Sequence, residues 1–178
     1  MLPKALSLSG IIARCLLLCM ATGFITSCLS DDEPANIGIE AGDPLPQFEV
    51  TLNDGRRVSR ESLRGKRVLI EFFNTGCPDC RESLPTINEV YLRLRGEEGY
   101  AVFAIAREED EEDIERYWRE HELSLPYSPQ TDRRVYELFA TTGIPRIFIA
   151  DQEGMVGATF GPEDSPTLEI LIDLLTSD

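Results

Sequence analysis

The sequence predicts an α/β sandwich on a mixed central sheet, led by a small β-hairpin. Three patterns carry that expectation. Val68-Leu69-Ile70-Glu71-Phe72-Phe73 and Tyr100-Ala101-Val102-Phe103-Ala104-Ile105-Ala106 are near-continuous apolar runs, as expected of strands buried on both faces of a mainly parallel sheet. Between them, Arg81–Arg95 carries Leu84, Ile87, Val90, Tyr91 and Leu94 at helical spacing, so a crossover helix joins two parallel strands. The chain then closes with a strand pair around a tight turn and an amphipathic helix, which adds antiparallel pairing.

With 178 residues, 42% of them hydrophobic, the chain holds a leader and one domain with a substantial core. A net charge of −15 argues against nucleic acid, whose phosphates need a basic surface. Acidity of this kind keeps an exported protein soluble.

Residues 1–27 read as a leader. Lys4 and Arg14 flank the charge-free stretch Ala5–Ala13, and an apolar segment follows from Cys15 to Ile25, too short to span a bilayer comfortably. The segment ends in Ile25-Thr26-Ser27-Cys28, which resembles a lipoprotein signal. That resemblance implies lipidation of Cys28 and a protein held on the bacterial cell envelope, at the periplasmic face or the outer-membrane surface; an ordinary signal peptide or an uncleaved membrane anchor is the alternative. Residues 28–42 are polar and acidic without an apolar period, a flexible tether. Acidic residues just after the lipidated cysteine also resemble the surface-export signals of Bacteroidetes lipoproteins; a plain solvated linker is the alternative.

The domain occupies residues 43–178. Gln47–Leu52 alternates polar and apolar residues, and the turn Asn53-Asp54-Gly55 leads into Arg56-Arg57-Val58, a hairpin. Ser59–Leu63 is a short helical turn before the first buried strand. After the second, Arg107–Glu122 is a charged helix with Ile114, Tyr117 and Trp118 inward, and His121 at its exposed end. Pro126 and Pro129 make Leu123–Pro129 a loop. Arg133–Ala140 is a short helix with Val135, Leu138 and Phe139 inward. Strand Arg146–Ala150, turn Asp151–Gly154 and strand Met155–Phe160 form the terminal pair. The last helix, Ser165–Leu175, takes Ser165 as N-cap and Pro166 as its first residue.

The chemistry lies at Cys77-Pro78-Asp79-Cys80, where the first buried strand turns into a helix. A sulfur at a helix N-terminus meets unpaired N–H groups and the positive end of the helix dipole, which favours thiolate over thiol. A second thiol three residues on allows an internal disulfide. On the lipoprotein resemblance Cys15 and Cys19 leave with the leader and Cys28 is lipidated, which leaves this pair to the mature domain. One close pair in an exported protein points to redox chemistry rather than a structural framework.

In order and residues the domain resembles the thioredoxin fold, and within it the membrane-anchored TlpA/ResA-like thiol–disulfide oxidoreductases. The resemblance covers Asp43 to the C-terminus and rests on Ser62-Leu63-Arg64-Gly65-Lys66, the strand entering the CxxC, Leu84-Pro85, and Gly143-Ile144-Pro145 before the next strand. It implies that Cys77 attacks and Cys80 resolves, with a Cys77–Cys80 disulfide in the oxidised form and no cofactor or metal. It also implies a cis Pro145, with Ile144 pairing to the substrate backbone, and a substrate-binding surface that includes Gly76, Pro78, Asp79, Ile144 and Arg146. The implied partners are protein thiols and disulfides and an electron donor in the membrane or periplasm, with the chain acting as a monomer. Glu71 stands where thioredoxins bury an acid under the dithiol. Two roles are open to it: general base for Cys80, or a strand-end carboxylate that reaches solvent or pairs with an arginine.

Three positions depart from the family pattern. Ser83 replaces a glutamate three residues after the second cysteine, Gly76 replaces an aromatic residue before the first, and Arg146 replaces a threonine after the proline. Asp79 opposes the helix dipole at the thiolate and points to a reductant or isomerase-like partner rather than a strong oxidant. Two other functions use the same residues. A peroxiredoxin-like thiol peroxidase needs Thr or Ser three residues before the reactive cysteine, where Asn74 stands. A copper- or zinc-binding dithiol protein needs soft thiolates, but a closed zinc site needs two more ligands, with no second CxxC and one histidine at hand.

Overall fold

The computed structural model describes residues 38–177. Its elements run β1 (Glu49–Thr51), β2 (Arg57–Ser59), β3 (Arg67–Phe73), α1 (Pro78–Leu94), β4 (Tyr100–Ala106), α2 (Glu111–Glu120), β5 (Tyr127–Ser128), a 3-10 turn (Tyr136–Leu138), β6 (Arg146–Ala150), β7 (Val156–Phe160) and α3 (Leu168–Thr176). The leader, Cys28 and residues 28–37 of the expected tether lie outside the described residues. Among the described residues no helix is long and apolar enough to cross a membrane.

β3 is the middle of a five-stranded sheet ordered β5-β4-β3-β6-β7. It is parallel to β4 and antiparallel to β6, so the expected mixed sheet is present. Val68, Leu69, Ile70, Phe72 and Phe73 are all fully buried, which is why this strand takes the centre. Phe72 meets Tyr136, Phe139 and Phe148 on one face, with ring centroids 5.5, 4.9 and 6.0 Å away. On the other face Phe73 packs against Trp118 of α2 at 5.0 Å. The crossovers β3–α1–β4 and β4–α2–β5 place both helices on this second face.

The hairpin β1–β2 forms its own two-stranded sheet, turned at Gly55 with φ +83°. It is stitched to β5, because Asn53 N–H donates to Tyr127 O (2.7 Å) and the Ser128 hydroxyl to Thr51 O (2.8 Å).

Four expectations need correction. Leu123–Pro129 contains β5 rather than being all loop. Its prolines exclude a helix, yet Pro126 still accepts from Ala104 N–H at the sheet edge. Arg133–Ala140 folds only as the 3-10 turn, with Leu138 exposed, while Tyr136 and Phe139 carry the apolar anchoring. Helix α2 begins at Glu111, because Arg107 and Glu109 bond to Phe73 O and Gln130 O and Asp110 supplies the cap. The last helix is capped by Thr167, whose hydroxyl accepts from Ile170 N–H, not by Ser165. That start still places Leu171 and Leu175 in the core.

The segment just before the hairpin is attached to the domain. Ile39 N–H donates to Phe139 O (2.9 Å) and Gly42 N–H to Val156 O (2.8 Å).

Candidate functional site: a dithiol over a buried carboxyl

β3 delivers the chain to a three-residue loop whose every residue is held. Asn74 Oδ1 accepts from Gly76 N–H (2.8 Å), and Asn74 O accepts from Cys77 N–H (3.0 Å). Asn74 Nδ2 donates to Arg107 O (3.2 Å), just past the end of β4. Thr75 gives both its N–H (2.8 Å) and its hydroxyl to the Glu109 carboxylate, and Arg81 returns from α1 to the Thr75 carbonyl.

Cys77 is the N-cap of α1, with φ −83° and ψ 123°, and Pro78 follows as the first helical residue, where its missing N–H costs nothing. Cys77 makes no side-chain cap bond of its own, which leaves a helix N-terminus at the sulfur. Gly76, Pro78 and Asp79 are exposed, Cys77 is half-buried and Cys80 is fully buried; both cysteines are free thiols. Cys77 Sγ donates to Ile144 O at 3.5 Å.

The Ile144–Pro145 peptide is cis, as expected. Gly143 leads into it at φ +78°, and a Cβ there would lie 2.8 Å from Pro162 Cγ, so glycine is required on both counts. The Tyr136 hydroxyl donates to Gly143 O (2.7 Å) and ties this loop to the 3-10 turn.

Glu71 is wholly buried, on the sheet face that supports α1. Its Oε1 accepts from the Ser83 hydroxyl, and its Oε2 has no partner among the described residues. It is therefore neither a solvent-reaching nor an arginine-paired carboxylate. Burial pushes its pKa up to about 8 against the pull of the Ser83 hydrogen bond. Burial also drives the Cys80 thiol far above the usual cysteine range. The Asn74 backbone opposes that rise, while Cys77 and Glu71 add to it. The two sulfurs thus differ sharply in access.

Arg146 pairs with Phe72 and shares its face, opposite Glu71. Its Nη1 lies 3.1 Å from where a Cβ of Gly161 would stand, close to Asp164. The structure thus brings Cys77, Cys80, Glu71, Ile144 and Pro145 together, and directs Arg146 toward the loop before α3. Sequence reasoning missed Glu109 as the loop clamp and Ser83 as the carboxyl's partner. Ser83 follows Cys80 by three helical residues, so its side of the helix was readable; its bond to Glu71 was not. Among the described residues no cluster of His, Cys, Asp and Glu forms a metal site.

Residues 41–159 match the AhpC/TSA family, well over half of the chain. The chain belongs to that family. The thiol–disulfide oxidoreductase ResA of Bacillus cereus is 27% identical over 164 residues, covering 90% of this chain and 92% of that protein. A candidate protein disulfide isomerase from Bacteroides thetaiotaomicron superposes with a TM-score of 0.71 at 24% identity, covering 79% of this chain and 94% of that one. A thioredoxin-family thiol:disulfide interchange protein from Chlorobium tepidum gives a TM-score of 0.64 at 25% identity, over 75% and 94%. The ResA-like resemblance, the thioredoxin fold and the enzyme class, thiol–disulfide oxidoreductase, are borne out.

The Glu71 carboxyl has a raised pKa in the folded state, so its contribution to stability is full below about 4.5 and is lost as pH rises through about 8. Urea unfolding of the reduced protein should show stability falling by roughly 3–5 kcal/mol across that window. Glu71→Gln should flatten the fall, and an unchanged slope would exclude Glu71 as its source.

Proposed function

We propose that the protein is a lipid-anchored, extracytoplasmic thiol–disulfide oxidoreductase that reduces protein disulfides, with Cys77 attacking and Cys80 resolving. The observation that carries this reading is the asymmetry of the pair. Cys77 is half-buried at the helix N-cap beside the Ile144 carbonyl, while Cys80 is sealed beneath it next to Glu71.

Attack by the Cys77 thiolate on a substrate disulfide forms a mixed disulfide and expels one substrate thiolate. An extended substrate segment pairs with the backbone of Ile144, over Gly76, Pro78 and Asp79. Cys80 loses its proton to Glu71 and attacks Cys77, closing the Cys77–Cys80 disulfide and releasing the second substrate sulfur as a thiolate. The dithiol gives two electrons, which a donor in the membrane or periplasm restores.

Anchoring at Cys28 rests on the Ile25-Thr26-Ser27-Cys28 pattern after an apolar leader. The thiol peroxidase alternative finds less support. Asn74 spends its side chain on Gly76 and Arg107, and the Thr75 hydroxyl is committed to Glu109.

Cys80→Ser should accumulate mixed disulfides with protein partners on non-reducing gels, and Cys77→Ser should accumulate none; trapping on both alike would defeat the assignment of roles. Asp79→Asn should raise the reduction potential by roughly 10–30 mV, from a wild-type value well below the roughly −120 mV of a strong oxidant. Equilibration with glutathione or dithiothreitol buffers measures both. Cys28→Ala should move the protein from the membrane fraction to the soluble fraction and abolish incorporation of labelled palmitate.

A further inference from the structure

A groove of about 420 Å³ opens beside the dithiol, between α1, the cis-proline loop and the start of α3. Pro145, Ile147 and Leu168 give it apolar walls, Asp79 and Glu82 stand at its acidic side, and Ser83 lines it from α1. Ser83 is also the single hydrogen-bond partner of the Glu71 carboxyl among the described residues. One hydroxyl thus touches both an open groove and an acid with no exposure of its own.

The hydroxyl has a second acceptor, because Ser83 Oγ lies 3.1 Å from Cys80 O. A hydroxyl both donates and accepts. When Glu71 is ionised, Ser83 donates to Oε1. When Glu71 is protonated, the carboxylic acid donates to Ser83 Oγ, and the serine proton turns to the Cys80 carbonyl or to water in the groove.

We propose that Ser83 is the proton relay between the buried Glu71 carboxyl and solvent in the groove, a residue that acts on the resolving step through Glu71. This rests on the roles proposed above for Cys80 and Glu71. In that step the Cys80 proton passes to the Glu71 carboxylate and Cys80 attacks Cys77. The Cys77–Cys80 bond forms, the bond from Cys77 to the substrate sulfur breaks, and the substrate leaves as thiolate, reduced as the dithiol is oxidised. Glu71 then gives its proton to Ser83 Oγ, and the Ser83 proton leaves to water.

The groups around Glu71 leave the relay little competition. Its direct sheet neighbours, Ala104 of β4 and Ile147 of β6, are apolar. From α1 it faces Cys80, with Cys77 beyond; from α2 it faces Tyr117, whose ring lies under the Arg81 guanidinium at 5.9 Å. Asp79, Glu82 and Asp164 line the groove itself.

Stopped-flow mixing of the reduced protein with a chromogenic aryl disulfide separates the two steps: a first release as Cys77 is captured and a second as Cys80 resolves it. The readout is the ratio of the second rate to the first, from pH 6 to pH 9.5. Ser83→Ala should lower that ratio roughly 10- to 100-fold. It should also move the inflection to higher pH, since the bond favouring the carboxylate is gone. Imidazole, small enough for the groove, should restore the second phase in proportion to its concentration in Ser83→Ala and leave the wild type unchanged. Ser83→Thr should keep the wild-type ratio. A Ser83→Ala ratio and inflection equal to wild type overturns the relay, as does a loss that neither threonine nor imidazole repairs. Absence of the first release in the wild type would instead overturn the proposed function.

Discussion

The register of β3 between β4 and β6 is the constraint from which the site follows. Its last residue, Phe73, pairs with Ala106, so the chain leaving β3 and the chain leaving β4 emerge side by side. That adjacency lets Arg107 O and the Glu109 carboxylate take hold of Asn74 and Thr75. On the other edge Phe72 pairs with Arg146, which sets Ile144 and Pro145 just beyond the end of β3, beside Cys77. A slip of one residue would turn Glu71 to the aromatic face and carry the first cysteine away from the Ile144 carbonyl.

Within that frame burial separates two identical side chains. The helix N-terminus leaves Cys77 half-open at the surface, while three residues of helix carry Cys80 inward to zero exposure. An apolar medium penalises the charged form of whatever it encloses, and here it encloses both a thiol and a carboxyl. The Glu71 charge adds to the cost of ionising Cys80. Such coupling suits a site in which one sulfur must be available first and the second only afterwards.

Much of this was legible before any coordinates. Continuous apolar runs named β3 and β4, the 3.6-residue period named α1, and the CxxC at their junction named the site, because each signal is local. The failures share another cause. Tyr127 and Ser128 become a strand only because the edge of β4 is there to pair with them, and two prolines hid it. Arg107–Glu109 read as helix by charge and spacing, but their backbone is taken by Phe73 and Gln130, partners 34 and 21 positions away. Pairing at that range has no signature in either segment alone. Glu109 was read as one more charge on an acidic helix for the same reason.

The unpaired Oε2 of Glu71 bears on why such an arrangement persists. A buried carboxyl with one partner is a poor source of stability, and an apolar residue of the same size would pack at lower cost. Its burial does hold the pKa at about 8, close enough to neutrality for proton transfer in either direction. A second fixed donor on Oε2 would stabilise the carboxylate, return the pKa toward the ordinary acid range and make it a weaker proton acceptor. An arginine partner would do so more strongly. Leaving one oxygen bare and giving the other a neutral hydroxyl is the combination that keeps the group both buried and titratable, and the sequence meets it by placing serine, not a charged residue, at position 83.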